Sequence, residues 1–174
     1  MKQILKKIIP NDSQIYFRLL LMDKVGFNLW IINLVFQRIF RRHSKLDFSV
    51  NFTSTISETN IELNKDLTTL ASFAISGGCY FQAINGIKLG KNFLFAPGVK
   101  LISANHDFYE HSKSIKTSSI VIGDNVWLGA NVIILPGVKL ANGCIVGAGS
   151  VVTKSFEEEN SIITGNPAKA IGKK

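Results

Sequence analysis

Hydrophobic residues recur at every sixth position between residues 122 and 153. An aliphatic side chain opens each hexad, and a small or β-branched one follows four positions later. The opening residues are Ile122, Leu128, Ile134, Leu140, Val146 and Val152, and the following ones are Val126, Val132, Val138, Cys144 and Ser150. Helices repeat every 3.6 residues and strands every two, so neither explains this period. It favours a coil of short parallel strands, in which each face turns one bulky side chain inward before a corner.

The same period extends upstream of residue 122. Leu89, Phe95 and Leu101 open further hexads, followed by Phe93, Val99 and Asn105. We expect these six side chains to point into the coil, and His106, beside Asn105, to point outward. A weaker signal through Phe73, Ile75, Phe81 and Ile87 continues the coil, and residues 50–70 are interpreted as its degenerate opening turns.

The register breaks once, between Leu101 and Ile122, whose separation is not a multiple of six. Residues 106–119 are polar and lack strand alternation, which predicts a loop inserted into the coil. Irregular loops on rigid scaffolds commonly carry function. His106 opens this loop beside Asp107, and a neutral imidazole is a suitable general base for a hydroxyl or an amine. We expect His111, in the same loop, to be solvated or at the rim of a site.

Positive charge is concentrated in the first quarter of the chain. Residues 1–46 carry nine basic and two acidic side chains, a net charge of +7, which leaves only +1 of the total +8 for the rest of the chain. This distribution predicts a local contact with an anionic surface such as lipid headgroups, and no nucleic-acid binding. We expect no secretory signal in this segment.

A helix with a polar stripe is predicted within that segment. Residues 25–37 form an uncharged run that is short for a membrane span, and Asn33, Gln37 and Arg41 recur at intervals of four. Two interpretations remain open. The helix packs against the domain or a neighbouring subunit, or it lies on an anionic membrane.

The cysteines and histidines do not predict a metal site. Cys79 and Cys144 have no metal-ligand spacing, and Cys144 occupies a small inward position of the repeat. A zinc carbonic anhydrase built on such a coil needs three converging histidines. This chain has three in total, one of them His43 in the basic segment, so we expect no metal.

Several motifs together resemble a known family. They are Asn105-His106, then residues 122–132, 135–138, 146–154 and 165–171, in that order. Over roughly half the chain the sequence is similar to the hexapeptide-repeat acyltransferases with a left-handed parallel β-helix, especially the maltose/galactoside O-acetyltransferase-like branch. The resemblance implies an all-β fold of this kind. Charge and periodicity divide the chain into a basic amphipathic helical segment at 1–46, which does not resemble the small helical cap of that branch, the acyltransferase domain at 47–164 with an inserted loop at 106–119, and a C-terminal extension at 165–174.

The resemblance also implies a homotrimer with acetyl-coenzyme A in a groove between adjacent coils. His106 matches the catalytic base, and Trp127, Asn105 and Asp107 fall on the acceptor side. Positions matching cofactor contacts are Ala130, Ala148, Thr153, Lys154 and Lys169, and the small residues Gly129 and Gly147 would let the cofactor lie close to the backbone. The glycines and alanines are also residues that a tight coil requires. Asp107 or Glu110 could orient the imidazole, and the sequence does not choose between them.

The expected activity is acetyl transfer from acetyl-coenzyme A to a sugar hydroxyl. Ser76-Gly77-Gly78 and Ala83-Ile84 depart from the pattern of the branch members that act on simple sugars, and the basic apolar segment suits a lipid-linked or polymeric glycan. We therefore expect O-acetylation in surface polysaccharide synthesis, in the cytoplasm or at the inner face of the plasma membrane. The alternatives are N-acetylation of an amino sugar and a non-catalytic coil.

Overall fold

The computed structural model describes residues 14–174, so residues 1–13 of the basic segment lie outside the described part. Three helices form in this part: α1 (Gln14–Val25), α2 (Phe27–Arg38) and α3 (Leu67–Ile75). The strands are β1 (Thr55–Ile56), β2 (Ile61–Leu63), β3 (Tyr80–Gln82), β4 (Ile87–Leu89), β5 (Leu94–Phe95), β6 (Lys100–Ile102), β7 (Asn105–His106), β8 (Ser114–Ile115), β9 (Ile120–Ile122), β10 (Trp127–Leu128), β11 (Ile133–Ile134), β12 (Lys139–Leu140), β13 (Ile145–Val146), β14 (Val151–Val152), β15 (Ser161–Gly165) and β16 (Ala168–Lys173).

The short strands stack into three flat faces. Face A contains β1, β3, β6, β11 and β14, face B contains β2, β4, β9 and β12, and face C contains β5, β10, β13 and β15. Partners on each face are parallel, and in the regular part each strand pairs with the strand three hexads further along, as Trp127 does with Ile145. Three hexads therefore make one coil, and the expected left-handed parallel β-helix is confirmed.

The core lies inside the coil and is built from the hexad positions. The opening and following residues from Ile122 to Val152 are all buried, and so are Leu89, Phe93, Phe95, Val99 and Leu101. Successive coils approach closely at Gly129, where an added Cβ would lie 2.7 Å from the amide nitrogen of Ala148. Only glycine fits there without displacing the backbone of the next coil.

The first coil differs from the sequence prediction. Its third side is the helix α3 rather than a strand, so the expected continuation of the coil through Phe73 and Ile75 is wrong. Phe73 is buried as expected, but Ile75 is exposed. The helix forms because Asp66 caps it, accepting hydrogen bonds from the amides of Thr68 and Thr69.

The polar stripe of α2 faces the protein interior. Asn33 is fully buried, donating from Nδ2 to the Ala74 carbonyl at 2.9 Å and accepting at Oδ1 from the Phe52 amide at 3.0 Å. The Gln37 Nε2 donates to the carbonyls of Leu46 and Phe48. The prediction that Arg41 belongs to this stripe is wrong, because α2 ends at Arg38 and Arg41 has a left-handed backbone with φ 57°.

The connection from α2 to the coil is held by His43. Its Nε2 accepts a hydrogen bond from the Ile56 amide at 3.1 Å. Burial, and after it the charge of Arg42, lowers the pKa of His43. The neutral imidazole therefore joins the helical segment to the first strand of the coil.

Within residues 14–174, no single helix is long and apolar enough to cross a membrane. Taken together, α1 and α2 have the length and apolar composition of a membrane span, but the chain bends by 109° between them.

The C-terminal residues add a strand to the coil. β16 folds back antiparallel on β15 after a turn that contains a cis Asn166–Pro167 bond, and it covers the edge of face C. The assigned extension at 165–174 falls on this turn and strand, and the division of the chain into three segments stays a prediction.

Candidate active site

The inserted loop contains a short hairpin. β7 and β8 pair antiparallel, with Asn105 opposite Ile115 and His106 opposite Ser114. His106 is exposed as expected, but Asn105 is exposed too, so its predicted inward position is wrong. The chain leaves face A directly after Ile102, and Ser103 and Ala104 are the last buried residues before the hairpin. Leu94 and Trp127 are still neighbours on face C, so the whole loop is an insertion within a single coil.

The base of this loop is fixed by residues that the sequence analysis did not single out as functional. The Asn85 Nδ2 donates to the carbonyls of Ser103 and Ile115 and to the Thr117 Oγ1, at 3.0 to 3.1 Å. The Gln82 Oε1 accepts from the Ala104 amide at 3.0 Å. The hairpin that carries His106 is therefore tied at both of its ends to the coil below.

Neither candidate acid orients the imidazole. The Asp107 Oδ1 accepts from the amides of Tyr109 and Glu110, and these hydrogen bonds, Glu110 first, lower the pKa of Asp107. Glu110 forms an ion pair with Lys113 at 2.6 Å. Across residues 14–174, no hydrogen bond links either carboxylate to His106. Asp107 and Glu110 shape the tip of the hairpin, and His111 is exposed there.

Trp127 and His106 lie at different places around the coil. The hairpin leaves at the corner between faces A and B, whereas Trp127 lies on face C, half-exposed between Leu94 and Ile145. One subunit thus does not bring the two predicted residues to the same corner.

Most residues assigned to the cofactor share another corner. Gly129 and Ala130 lie one coil before Gly147 and Ala148, where the chain passes from face C to face A. In the described chain the amides of Ala130 and Ala148 donate to no protein group, whereas those of Gly129 and Gly147 bond to the next coil. The two alanine amides are available to an extended ligand, and the two glycines serve the stacking of the coils.

The predicted cations lie at two corners. Lys169 is exposed on β16 and lies opposite Thr164 of β15. The Thr164 side chain lies beside Gly147, so Lys169 is near the corner that carries the small residues. Thr153 and Lys154 are exposed beyond face A, and the Lys154 Nζ lies 6.0 Å from the centre of the Phe156 ring. The structure thus separates Thr153 and Lys154 from the other five assigned residues.

The described side chains contain no group of three or more His, Cys, Asp or Glu placed to hold a metal ion. Cys79 and Cys144 are buried thiols, and burial raises the pKa of each.

A family model of the bacterial transferase hexapeptide, in six repeats, matches residues 119–154. An Escherichia coli (strain K12) relative, WbbJ, is named for O-acetyl transfer in lipopolysaccharide biosynthesis. It is 32% identical over 146 residues, which cover 76% of this chain and 74% of the relative. The chain therefore belongs to the hexapeptide-repeat acetyltransferases. It spans about half the length of two further curated relatives.

Solved structures show the same architecture. A maltose O-acetyltransferase from Clostridium difficile 630 is 30% identical, with a TM-score of 0.51 over 70% of this chain and 59% of that one. The acetyltransferase VCA0836 from Vibrio cholerae O1 biovar eltor, solved with acetyl-coenzyme A, has a TM-score of 0.56 and covers 94% of this chain and 91% of its own. At 21% identity, the second likeness concerns the fold alone.

Proposed function

We propose that this acetyltransferase moves the acetyl group of acetyl-coenzyme A to a hydroxyl of a sugar, in the synthesis of a surface polysaccharide. The observation that carries the proposal is the exposed His106 on a hairpin tied to the coil at both ends. The similarity to WbbJ, with its name from lipopolysaccharide O-acetylation, supports the acceptor class.

In the proposed reaction, His106 is the general base. Its imidazole takes the proton of the acceptor hydroxyl while the oxygen attacks the thioester carbonyl carbon. The carbon–sulfur bond then breaks, the acetyl ester remains on the sugar, and the leaving coenzyme A thiolate takes up the proton that the His106 imidazolium gives back. A backbone amide stabilises the negative charge that develops on the carbonyl oxygen. The amides of Ala130 and Ala148 and the cation of Lys169, which share one corner of the coil, would bind acetyl-coenzyme A.

We further propose that the enzyme is a homotrimer whose sites lie between subunits. Phe108 and Tyr109 are almost fully exposed on the hairpin, and a neighbouring subunit would cover them. Such an arrangement also places the hairpin of one subunit against face C of the next, where Trp127 lies. A cytoplasmic enzyme at the inner face of the plasma membrane would meet a lipid-linked acceptor there.

Replacing His106 tests the catalytic assignment. We expect His106→Ala to lower kcat for acetyl transfer roughly a hundredfold to ten-thousandfold, because the hydroxyl loses its base. The measurement is release of free coenzyme A thiol in the presence of a panel of glycans and amino sugars. His111→Ala, in the same hairpin, is the matched control and should retain the parental rate.

Two results would contradict this proposal. Retention of most of the rate by His106→Ala would remove the histidine from the mechanism. A product whose acetyl group resists mild alkali would be an amide, and it would indicate N-acetylation of an amino sugar instead of O-acetylation.

A further inference from the structure

The helix α2 differs from an ordinary amphipathic surface helix. Its buried residues are the polar Asn33 and Gln37, and each donates to backbone carbonyls outside the helix, while Leu29 and Trp30 pack partly buried against α1 and α3. Helices on soluble domains normally bury their apolar stripe and expose polar residues. Here the hydrogen bonds of two amides fix the helix with much of its apolar surface turned outward.

The outward surface carries a patch of six exposed apolar side chains. Its members are Phe27, Ile31, Ile32 and Leu34 on α2, with Ile39 and Phe40 immediately after it, and Ile39 and Phe40 are 71% and 66% exposed. These six account for six of the fourteen large hydrophobic side chains that are exposed in residues 14–174. A patch so concentrated on one short segment marks an interaction surface rather than scattered exposure.

The charge around the patch indicates what covers it. Lys24, Arg38, Arg41, Arg42 and Lys45 lie within residues 24–46, and no acidic residue occurs in that range. Arg38 is exposed at the last turn of α2, Lys24 lies at the end of α1, and Arg41, Arg42 and Lys45 follow α2 in the chain. Among the described residues none of these five takes part in an ion pair. An apolar strip with cations at its ends matches the acyl boundary and phosphates of an anionic bilayer.

A second copy of the chain fits this surface less well. Two such faces brought together would oppose the same five cations, and residues 47–174 have a net charge of +1, so they offer no net negative charge. The length of α2 is consistent with a helix that lies on a membrane. With 12 residues it is only about 18 Å long, so by itself it can lie in the membrane–water interface but cannot cross the hydrocarbon core.

We propose that the outward face of α2, with Ile39 and Phe40, is a docking surface for an anionic lipid bilayer. The apolar side chains enter the headgroup boundary, and Arg38 extends its charged end to the phosphates. This proposed membrane contact depends only on α2 and the two residues after it, and it does not require a lipid-linked acceptor.

Co-sedimentation of the full chain with vesicles tests the docking surface. The vesicles are phosphatidylcholine alone or phosphatidylcholine with phosphatidylglycerol. We expect binding to require phosphatidylglycerol and to weaken at high salt. The double variant Ile31→Ser/Leu34→Ser should lower the partition coefficient about tenfold or more, because two apolar side chains leave the boundary. The charge variant Arg38→Glu/Lys45→Glu should abolish the preference for phosphatidylglycerol.

The matched apolar control is Ile84→Ser/Ile171→Ser, which replaces two exposed isoleucines on the coil and should bind as the parent does. Circular dichroism confirms that each variant is folded, and light scattering gives its mass. Binding that is equal on both lipids or unchanged in Ile31→Ser/Leu34→Ser would overturn the proposal. A change in oligomer mass with vesicle binding intact would assign the face to contacts between copies.

Thiol release with a soluble acceptor is measured in parallel on the same variants. Loss of vesicle binding with retained acetyl transfer supports a docking role separate from catalysis. Absence of acetyl transfer in a parent protein that still binds vesicles would count against the proposed function alone.

Discussion

Asn85 shows how a residue outside the reacting groups can govern the site. Its one amide group donates to the Ser103 and Ile115 carbonyls and to Thr117, and its backbone amide donates to the Ser103 Oγ. These contacts hold the two ends of the inserted loop together. The sequence pattern does not indicate this role, because the partners of the Asn85 side chain are 18 to 32 residues away.

We expect Asn85→Ala to lower kcat about 10- to 100-fold while the protein stays folded, because the His106 hairpin loses its anchor. The kcat, the KM for acetyl-coenzyme A and the Tm are each measured for the variant and for the parent protein. Asn64→Ala, an exposed asparagine on the coil, is the control and should change none of the three. A lowered Tm with an unchanged kcat would make Asn85 a structural residue and not a positioning one.

Among the elements, α3 depends on a single cap residue. Asp66 accepts from the Thr68 and Thr69 amides and the Thr69 hydroxyl, and also from the Asn92 amide on the next coil. Partial burial alone would raise the pKa of Asp66, but the hydrogen bonds, with Thr69 the largest, outweigh it and lower the pKa. The carboxylate thus joins the helix to the coil that follows.

We expect Asp66→Ala to lower the free energy of unfolding by about 1 kcal/mol, because two helix amides lose their acceptor. Asp66→Asn keeps one oxygen acceptor and should cost less. The pH dependence follows from the lowered pKa: the stabilisation by Asp66 is complete above its ordinary value of 3.8 and is lost as the pH falls through the folded value. Urea unfolding at neutral and acidic pH measures both effects. Equal stability of Asp66→Ala and the parent at neutral pH would contradict the cap.

At the scale of the whole molecule, the proposed site is divided between two corners of the coil. His106 leaves the corner between faces A and B, and Trp127 lies on face C. A closed trimer would bring these positions together across a subunit boundary, and it would cover the exposed hairpin tip.

We expect subunit mixing to restore activity to a pair of inactive variants. His106→Ala and Trp127→Ala, unfolded and refolded together, should regain a measurable fraction of the parental rate, because some boundaries then combine an intact His106 with an intact Trp127. Each variant refolded alone is the control. If the mixture were no more active than the two variants separately, both residues would have to act within one subunit.

The sequence determined the coil, its buried positions and the place where it is interrupted. Each of these is a local consequence of the hexad, because one inward side chain per face is repeated along contiguous residues. Cys144 and Ser150 are buried as predicted, and His106 is exposed at the break. Repetition makes such a fold predictable from a single chain.

The tertiary structure alone decided the features that depend on distant partners. The six-residue period predicted that the coil continues through Ile75. The Asp66 cap and the core beneath that stretch make it a helix instead. The same period predicted an inward Asn105, but the hairpin inserted into the repeat carries this residue to the surface. The polar stripe of α2 was visible in the sequence, but its direction was not. That direction follows from the backbone carbonyls of Ala74, Leu46 and Phe48, which only folding brings within reach of Asn33 and Gln37.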